Sequence, residues 1–120
     1  MKDNQFIQNN DNSYVWLLDL TKLQWSKKIT TGMIPEQKIF SSIFAVNERI
    51  FLQGGILANG KYTSDIHVLD LKSFVWKRLF QMSMPKARVN PIVHVYDNKV
   101  FNFAGHDKKD VFPLNKIWFF

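Results

Sequence analysis

The segment Tyr14-Val15-Trp16-Leu17-Leu18-Asp19-Leu20, followed five residues later by Trp25, returns as Asp65-Ile66-His67-Val68-Leu69-Asp70-Leu71, followed at the same interval by Trp76. Asp19 and Asp70 are 51 positions apart, and so are Trp25 and Trp76. A second set of matches is offset by 50: Pro35-Glu36-Gln37-Lys38 with Pro85-Lys86-Ala87-Arg88, and Ile50-Phe51-Leu52-Gln53-Gly54-Gly55 with Val100-Phe101-Asn102-Phe103-Ala104-Gly105. A repeat of this length built from short apolar runs points to the blade of a β-propeller rather than to a helical solenoid.

The apolar runs are five to eight residues long with turn residues between them, which is the pattern of strands. It predicts strands at 14–19, 23–28, 39–46, 49–54, 65–71, 74–80, 92–96, 99–104 and 116–120, with no helix. Asn47-Glu48 and Asn98-Lys99 read as tight hairpin turns, and Asn59-Gly60 as the tip of a longer connection. Thr30-Thr31-Gly32 reads as a plain turn. In this four-beat cycle, strand a (39–46) joins b (49–54), and strand c (65–71) joins d (74–80), through short turns, and the next copy begins with a at 92–96 and b at 99–104. The b–c and d–a connections run to about ten residues and, in an up-and-down sheet, gather at one end. Residues 1–13, rich in Asn, Asp and Gln, read as a flexible tail or loop. The repeats divide the remainder into a partial blade (14–38), a full blade (39–80) and a second partial blade (81–120).

Composition narrows the setting. Apolar residues make up 46% of the 120-residue chain and aromatics 15%, too much for intrinsic disorder. No run approaches the roughly 20 apolar residues that span a bilayer as a helix. The polar stretch Met1–Ser13 lacks the apolar core of a signal peptide, and there is no cysteine for disulfides, thiol catalysis or zinc–thiolate sites. A cytoplasmic setting is expected, with the nucleus as the other option. The net charge of +6 is spread along the chain and carries no aromatic–basic signature, so nucleic acid is not the expected partner.

Taken together, these residues resemble the Kelch repeat. Ile50-Phe51-Leu52-Gln53-Gly54-Gly55 matches its apolar strand ending in a double glycine, and Val68-Leu69-Asp70-Leu71 followed by Trp76 matches its second half. The likeness covers residues 14–120 with departures: Leu18 and Leu69 stand where the family usually has Tyr, with Phe120 at that place in the last copy. The second double glycine is Ala104-Gly105, and Pro91 opens a strand, which places it at a strand start or free edge. The implied fold is all-β: a Kelch-type propeller segment of about two and a half four-stranded blades, too few to close a ring alone. The rest of the propeller, or other chains, would then complete it. Gly54, Gly55 and Gly105 are expected to take backbone shapes closed to a Cβ. Asp19 and Asp70 are expected to bond local backbone before strand d. Trp25 and Trp76 are expected to pack between neighbouring blades, each worth about 3–5 kcal/mol on truncation.

The chemistry-bearing residues point away from catalysis. His67 and His94 sit at strand positions held elsewhere by Trp16 and Phe44, which makes them structural substitutions. His106 with Asp107 and Asp110 is the one metal-like cluster, and its spacing matches no zinc or iron site. No phosphate cradle or nucleophile elbow occurs, and no cofactor or metal is expected. Lys38 and Arg88 share one repeat position just before strand a. In Kelch substrate adaptors of ubiquitin ligases the matching position often carries an arginine facing the binding surface. The resemblance therefore implies that both hold acidic or phosphorylated groups, with Lys61, Tyr62, His106, Lys108 and Lys109 joining them. A surface or blade-stabilising cation is the other reading of that position. The expected function is a non-catalytic protein-interaction module, an adaptor or scaffold using its long-loop face. The alternatives are a structural subunit of a larger assembly, or part of a propeller enzyme of galactose-oxidase or nitrile-specifier type.

Overall fold

The computed structural model describes residues 13–80 and 86–109, and the backbone of 117–119. The expected tail therefore lies outside the described residues except for Ser13, as do Asp110 and Phe120. Among the described residues there are twelve strands and no helix. The strands expected at 14–19, 23–28, 49–54, 65–71 and 74–80 appear as β1 (Tyr14–Asp19), β2 (Gln24–Ile29), β6 (Arg49–Gln53), β8 (Ile66–Asp70) and β9 (Val75–Leu79). The expected 39–46 strand is split into β4 (Lys38–Ile39) and β5 (Ser42–Val46), because Phe40 between them adopts a left-handed backbone (φ 57°). β10 (Ile92–Tyr96), β11 (Lys99–Phe103) and β12 (Ile117–Phe119) form the last sheet, with Pro91 just ahead of its edge strand.

The complete blade is a sheet in the order β3-β9-β8-β6-β5, where β3 is the two-residue strand Thr31–Gly32. Its four long strands are antiparallel neighbours, with Phe44, Phe51 and Val68 in one row and Ile50, Leu69 and Trp76 in another. Beside it lie the β1–β2 hairpin and the β10–β11–β12 sheet, and the sheets do not close a ring. β8 is covered on both faces, so Ile66, Val68 and Leu69 form the centre of the core with Trp76, Val89 and Val100. Burial therefore runs unbroken along β8 from Ile66 to Leu69, whereas along β10 it alternates residue by residue.

Two turns differ from expectation. The second hairpin turns at Asp97-Asn98, both left-handed, while Lys99 already pairs with Tyr96. Thr31–Gly32 is the short strand β3, paired parallel with the outer edge of β9. Thr31 N–H donates to Phe74 O (3.1 Å) and Met33 N–H to Trp76 O (2.9 Å), tying the connection from one blade to the rim of the next. A side chain on Gly32 would run into the Trp76 carbonyl. A tertiary neighbour, not a local turn signal, makes this strand.

Local backbone repeats with the sequence. Left-handed residues recur at Leu23 and Phe74, Phe40 and Asn90, Asn47 and Asp97, Gly54 and Ala104, and Gly55 and Gly105. Asp19 Oδ1 accepts from the Thr21 hydroxyl (2.6 Å) and from the Thr21 and Lys22 amides; Asp70 Oδ1 accepts from the Lys72 and Ser73 amides. These bonds hold both carboxyls below the usual carboxylate range.

Candidate partner-binding face

Strand register places the start of β5, the end of β6, the start of β8 and the end of β9 in one row, Ser42–Gln53–Ile66–Leu79. The long connections all leave from this end. There the d–a connection pairs with the b–c connection: β4 lies antiparallel to β7 (Ile56–Leu57), with Ile39 opposite Ile56. The next copy repeats the contact as the bridge between Val89 and His106. Glycine makes the approach feasible. A Cβ on Gly55 would sit 2.7 Å from Ile39 O, and one on Gly105 would sit 2.8 Å from Val89 O. Gly55 N–H also donates to Arg88 O (3.2 Å), joining the complete blade to the connection that follows it.

The structure separates Lys38 from Arg88. Arg88 is 4% exposed; its Nη1 donates to Ala104 O (2.8 Å) and its Nε to Lys86 O (3.1 Å). The equivalent carbonyl in the complete blade, Gly54 O, accepts instead from the Ser41 hydroxyl (3.0 Å). Pro91 stands at the repeat position of Ser41 and has no hydroxyl to offer. Arg88 supplies the missing donor, so its guanidinium stabilises the blade rather than lying open on a binding surface. Lys38, relieved of that task by Ser41, is half-buried at the mouth of a cleft.

That cleft, about 430 Å³, is lined by Lys38, Glu36, Asp65, His67 and Arg78 together with Gly32, Met33, Ile34 and Leu57. His67 and Arg78 are cross-strand partners on β8 and β9, which points both the same way. Arg78 donates to Asp65 Oδ1 at 2.5 Å and lies 4.9 Å from the Phe80 ring. Burial would raise the Asp65 carboxyl, but Arg78 outweighs this and holds it below its ordinary value. Burial also lowers the Lys38 ammonium, against the pull of Asp65 and Glu36. Burial, aided by the Lys38 and Arg78 charges, lowers His67 to about 4, so its ring is neutral at pH 7. Asp65, His67 and Arg78 are absent from the site residues expected from the sequence. The available signal was that polar side chains share one strand row.

The other expected residues lie around this end without converging on the cleft. Lys61 and Tyr62 close the b–c connection, where Lys61 O accepts from Leu57 N–H and Tyr62 bridges Ile56. His106, Lys108 and Lys109 occupy the matching connection of the next copy, and Lys109 N–H donates to Asp107 Oδ1 (2.7 Å). The tryptophans separate too. Trp76 is 8% exposed within the complete blade, flanked by Leu69 and Gly32 on the neighbouring strands, whereas Trp25 is 65% exposed because no described segment covers its face. Among the described residues, no three His, Asp or Glu side chains are grouped to hold a metal ion.

Among the described residues, charge is uneven between the two ends. At the short-turn end Lys22, Arg49, Lys72 and Lys99 are balanced by Asp19, Glu48, Asp70 and Asp97, with Lys72 and Glu48 paired at 2.7 Å. At the long-loop end Lys61, Lys86, Lys108 and Lys109 are exposed, beside Lys38 and Arg78, against Glu36, Asp65 and Asp107.

Residues 3–120 match the family model described as the KLHDC2/KLHL20/DRC7 Kelch-repeats domain. The chain belongs to the Kelch-repeat family. It is also 30% identical over 96 residues to acyl-CoA-binding domain-containing protein 4 of Arabidopsis thaliana, covering 71% of this chain and 14% of that protein. It is 29% identical over 135 residues to the leucine-zipper-like transcriptional regulator 1 homolog of Drosophila melanogaster, covering 98% and 13%. An F-box/kelch-repeat protein of Arabidopsis thaliana is 31% identical over 70 residues, covering 58% and 17%. The chain thus spans a small part of the length of each of these relatives. Kelch repeats generally mediate protein–protein interaction and are generally not enzymes.

Proposed function

We propose that this Kelch segment is a non-catalytic interaction module, of adaptor or scaffold type, that binds an acidic or phosphorylated stretch of a protein partner on its long-loop face. The cation excess at that end carries the reading, because like-signed charge on paired, rigidly held loops steers and orients an oppositely charged chain. The setting proposed is cytoplasmic, with the nucleus as the other option. The test is an array of decapeptides that are acidic, phosphoserine-bearing or neutral. Acidic and phosphorylated peptides should be retained, and the triple change Lys61→Glu, Lys108→Glu, Lys109→Glu should weaken retention by about tenfold or more. Lys22→Glu, Lys72→Glu, Lys99→Glu at the opposite end should leave it unchanged. Equal effects from the two triples would overturn the assignment of the face.

A further inference from the structure

Asn59 is the only asparagine of the chain that is followed by glycine, and it stands at the tip of the b–c connection. Its side chain is exposed, and a Cβ built on Gly60 meets nothing within 4 Å, so the space beside this peptide unit is open. Asn59 Oδ1 accepts the Lys61 N–H at 2.9 Å. That bond polarises the side-chain carbonyl and keeps a donor in place where negative charge would develop if Cγ were attacked. The nearest nucleophile along the chain is the Gly60 nitrogen, whose attack on Cγ closes a five-membered ring, and the missing side chain lets it approach. Gly60 N–H donates to Leu57 O (2.8 Å); this one turn bond has to open first, and at an exposed tip it slows attack by about tenfold at most. The other described asparagines lack this combination. Asn47 and Asn98 precede Glu48 and Lys99, whose side chains crowd the attacking nitrogen. Asn90 precedes Pro91, which has no N–H to lose, and Asn102 is fully buried and bonded to Gln53.

We propose that Asn59 is a site of spontaneous deamidation, in which the Gly60 nitrogen converts the neighbouring side-chain amide to a carboxylate. Gly60 N gives up its proton to solvent base as it bonds to Asn59 Cγ. The Cγ–Nδ2 bond breaks, and Nδ2 takes a proton from solvent and leaves as ammonia. Water then opens the cyclic imide. Opening at Cγ gives aspartate; opening at the main-chain carbonyl of residue 59 gives isoaspartate, whose backbone runs through Cγ and is one methylene longer. Either product sets a negative charge two residues from Lys61, so the cationic loop tip becomes neutral. The isoaspartate also lengthens a loop closed by the bond from Leu57 N–H to Lys61 O (2.9 Å) and by the bridge between Ile56 and Tyr62. Both contacts fix the number of backbone atoms between them, so the longer chain remodels the loop that carries Lys61 and Tyr62. The reaction is a clock built into this connection, and it stands whatever the long-loop face binds.

The full chain is aged in mildly acidic and mildly alkaline buffer, then digested and mapped by mass spectrometry for exchange of side-chain NH2 for OH. Isoaspartate is read separately, as methyl transfer from S-adenosylmethionine by an isoaspartate-specific carboxyl methyltransferase. Asn59 should convert about tenfold or more faster than Asn47 and Asn98, and faster in the alkaline buffer because the attacking nitrogen must lose its proton. Gly60→Ala should slow conversion by about tenfold, and Asn59→Gln should abolish methyl acceptance. Should Gly60→Ala fail to fold by circular dichroism, the ranking of the three asparagines in the unaltered chain decides. Conversion of Asn47 or Asn98 as fast as Asn59, a rate that does not rise with pH, or a folded Gly60→Ala variant that ages as fast as the unaltered chain would overturn the proposal.

Discussion

Asn102 donates its side-chain amide to the Gln53 side-chain oxygen at 2.6 Å, across the seam between the complete blade and the sheet that follows it. Both side chains are fully buried, and they stand on the two b strands, β6 and β11. Asn102 sits at the repeat position of Leu52, so sequence matching alone reads it as a lost apolar residue. It is a polar pin between blades instead. Asn102→Ala should cost about 1–3 kcal/mol, because Gln53 is left buried without its donor. Replacing both residues by Leu should recover part of that loss, and a double-mutant cycle in urea should show positive coupling between them.

The exchange of Ser41 for Arg88 as carbonyl donor makes a rescue experiment available. Arg88→Met should destabilise the last sheet by about 1.5–3 kcal/mol, the range for a hydrogen bond from a charged group. Adding Pro91→Ser places a hydroxyl at the position Ser41 holds in the complete blade, and should restore about 1 kcal/mol of this. Thermal melts of the two variants check the order.

Trp25 and Trp76 provide a matched pair, with identical repeat positions and different surroundings. Trp76→Ala should destabilise the chain by about 3–5 kcal/mol, through lost burial and the cavity left in the core of the complete blade. Trp25→Ala should stay within about 0.5 kcal/mol of the unaltered chain, as its side chain is exposed. Denaturant midpoints of the two variants measure the contrast.

The left-handed glycines should divide by their surroundings. Gly55→Ala places a Cβ against Ile39 O and the Ser41 hydroxyl, and should cost well above 1 kcal/mol, the order of the backbone term alone. Gly60 also has positive φ, but a Cβ there meets nothing within 4 Å, so Gly60→Ala should cost only about 1 kcal/mol. Chemical denaturation of the two variants separates steric clash from conformational cost.

His67 gives stability a defined pH dependence. Its pKa falls from 6.5 to about 4 on folding, so the unfolded chain binds the proton first as pH drops. Stability contributed by the neutral ring is present above pH 6.5, declines between about 6.5 and 4, and changes no further below that. A His67→Phe variant should lose this part of the slope in urea titrations taken across the interval.

The repeat and the alternation of apolar runs with turn residues are properties of the linear chain, and they carried the strand positions, the Asx turns at Asp19 and Asp70, and the need for glycine at positions 54, 55 and 105. Local sequence suffices for the strands and Asx turns because each is satisfied within one hairpin, and for the glycines because the left-handed backbone they adopt recurs at the same repeat positions. It could not show that Thr31–Gly32 would find the rim of β9, that Arg88 would bond inward because Pro91 lacks a hydroxyl, or that His67 and Arg78 would join Lys38 at one cavity. Those outcomes depend on groups brought together from different connections and strands. Burial and the supply of hydrogen-bond partners, which only the packed structure determines, decided them.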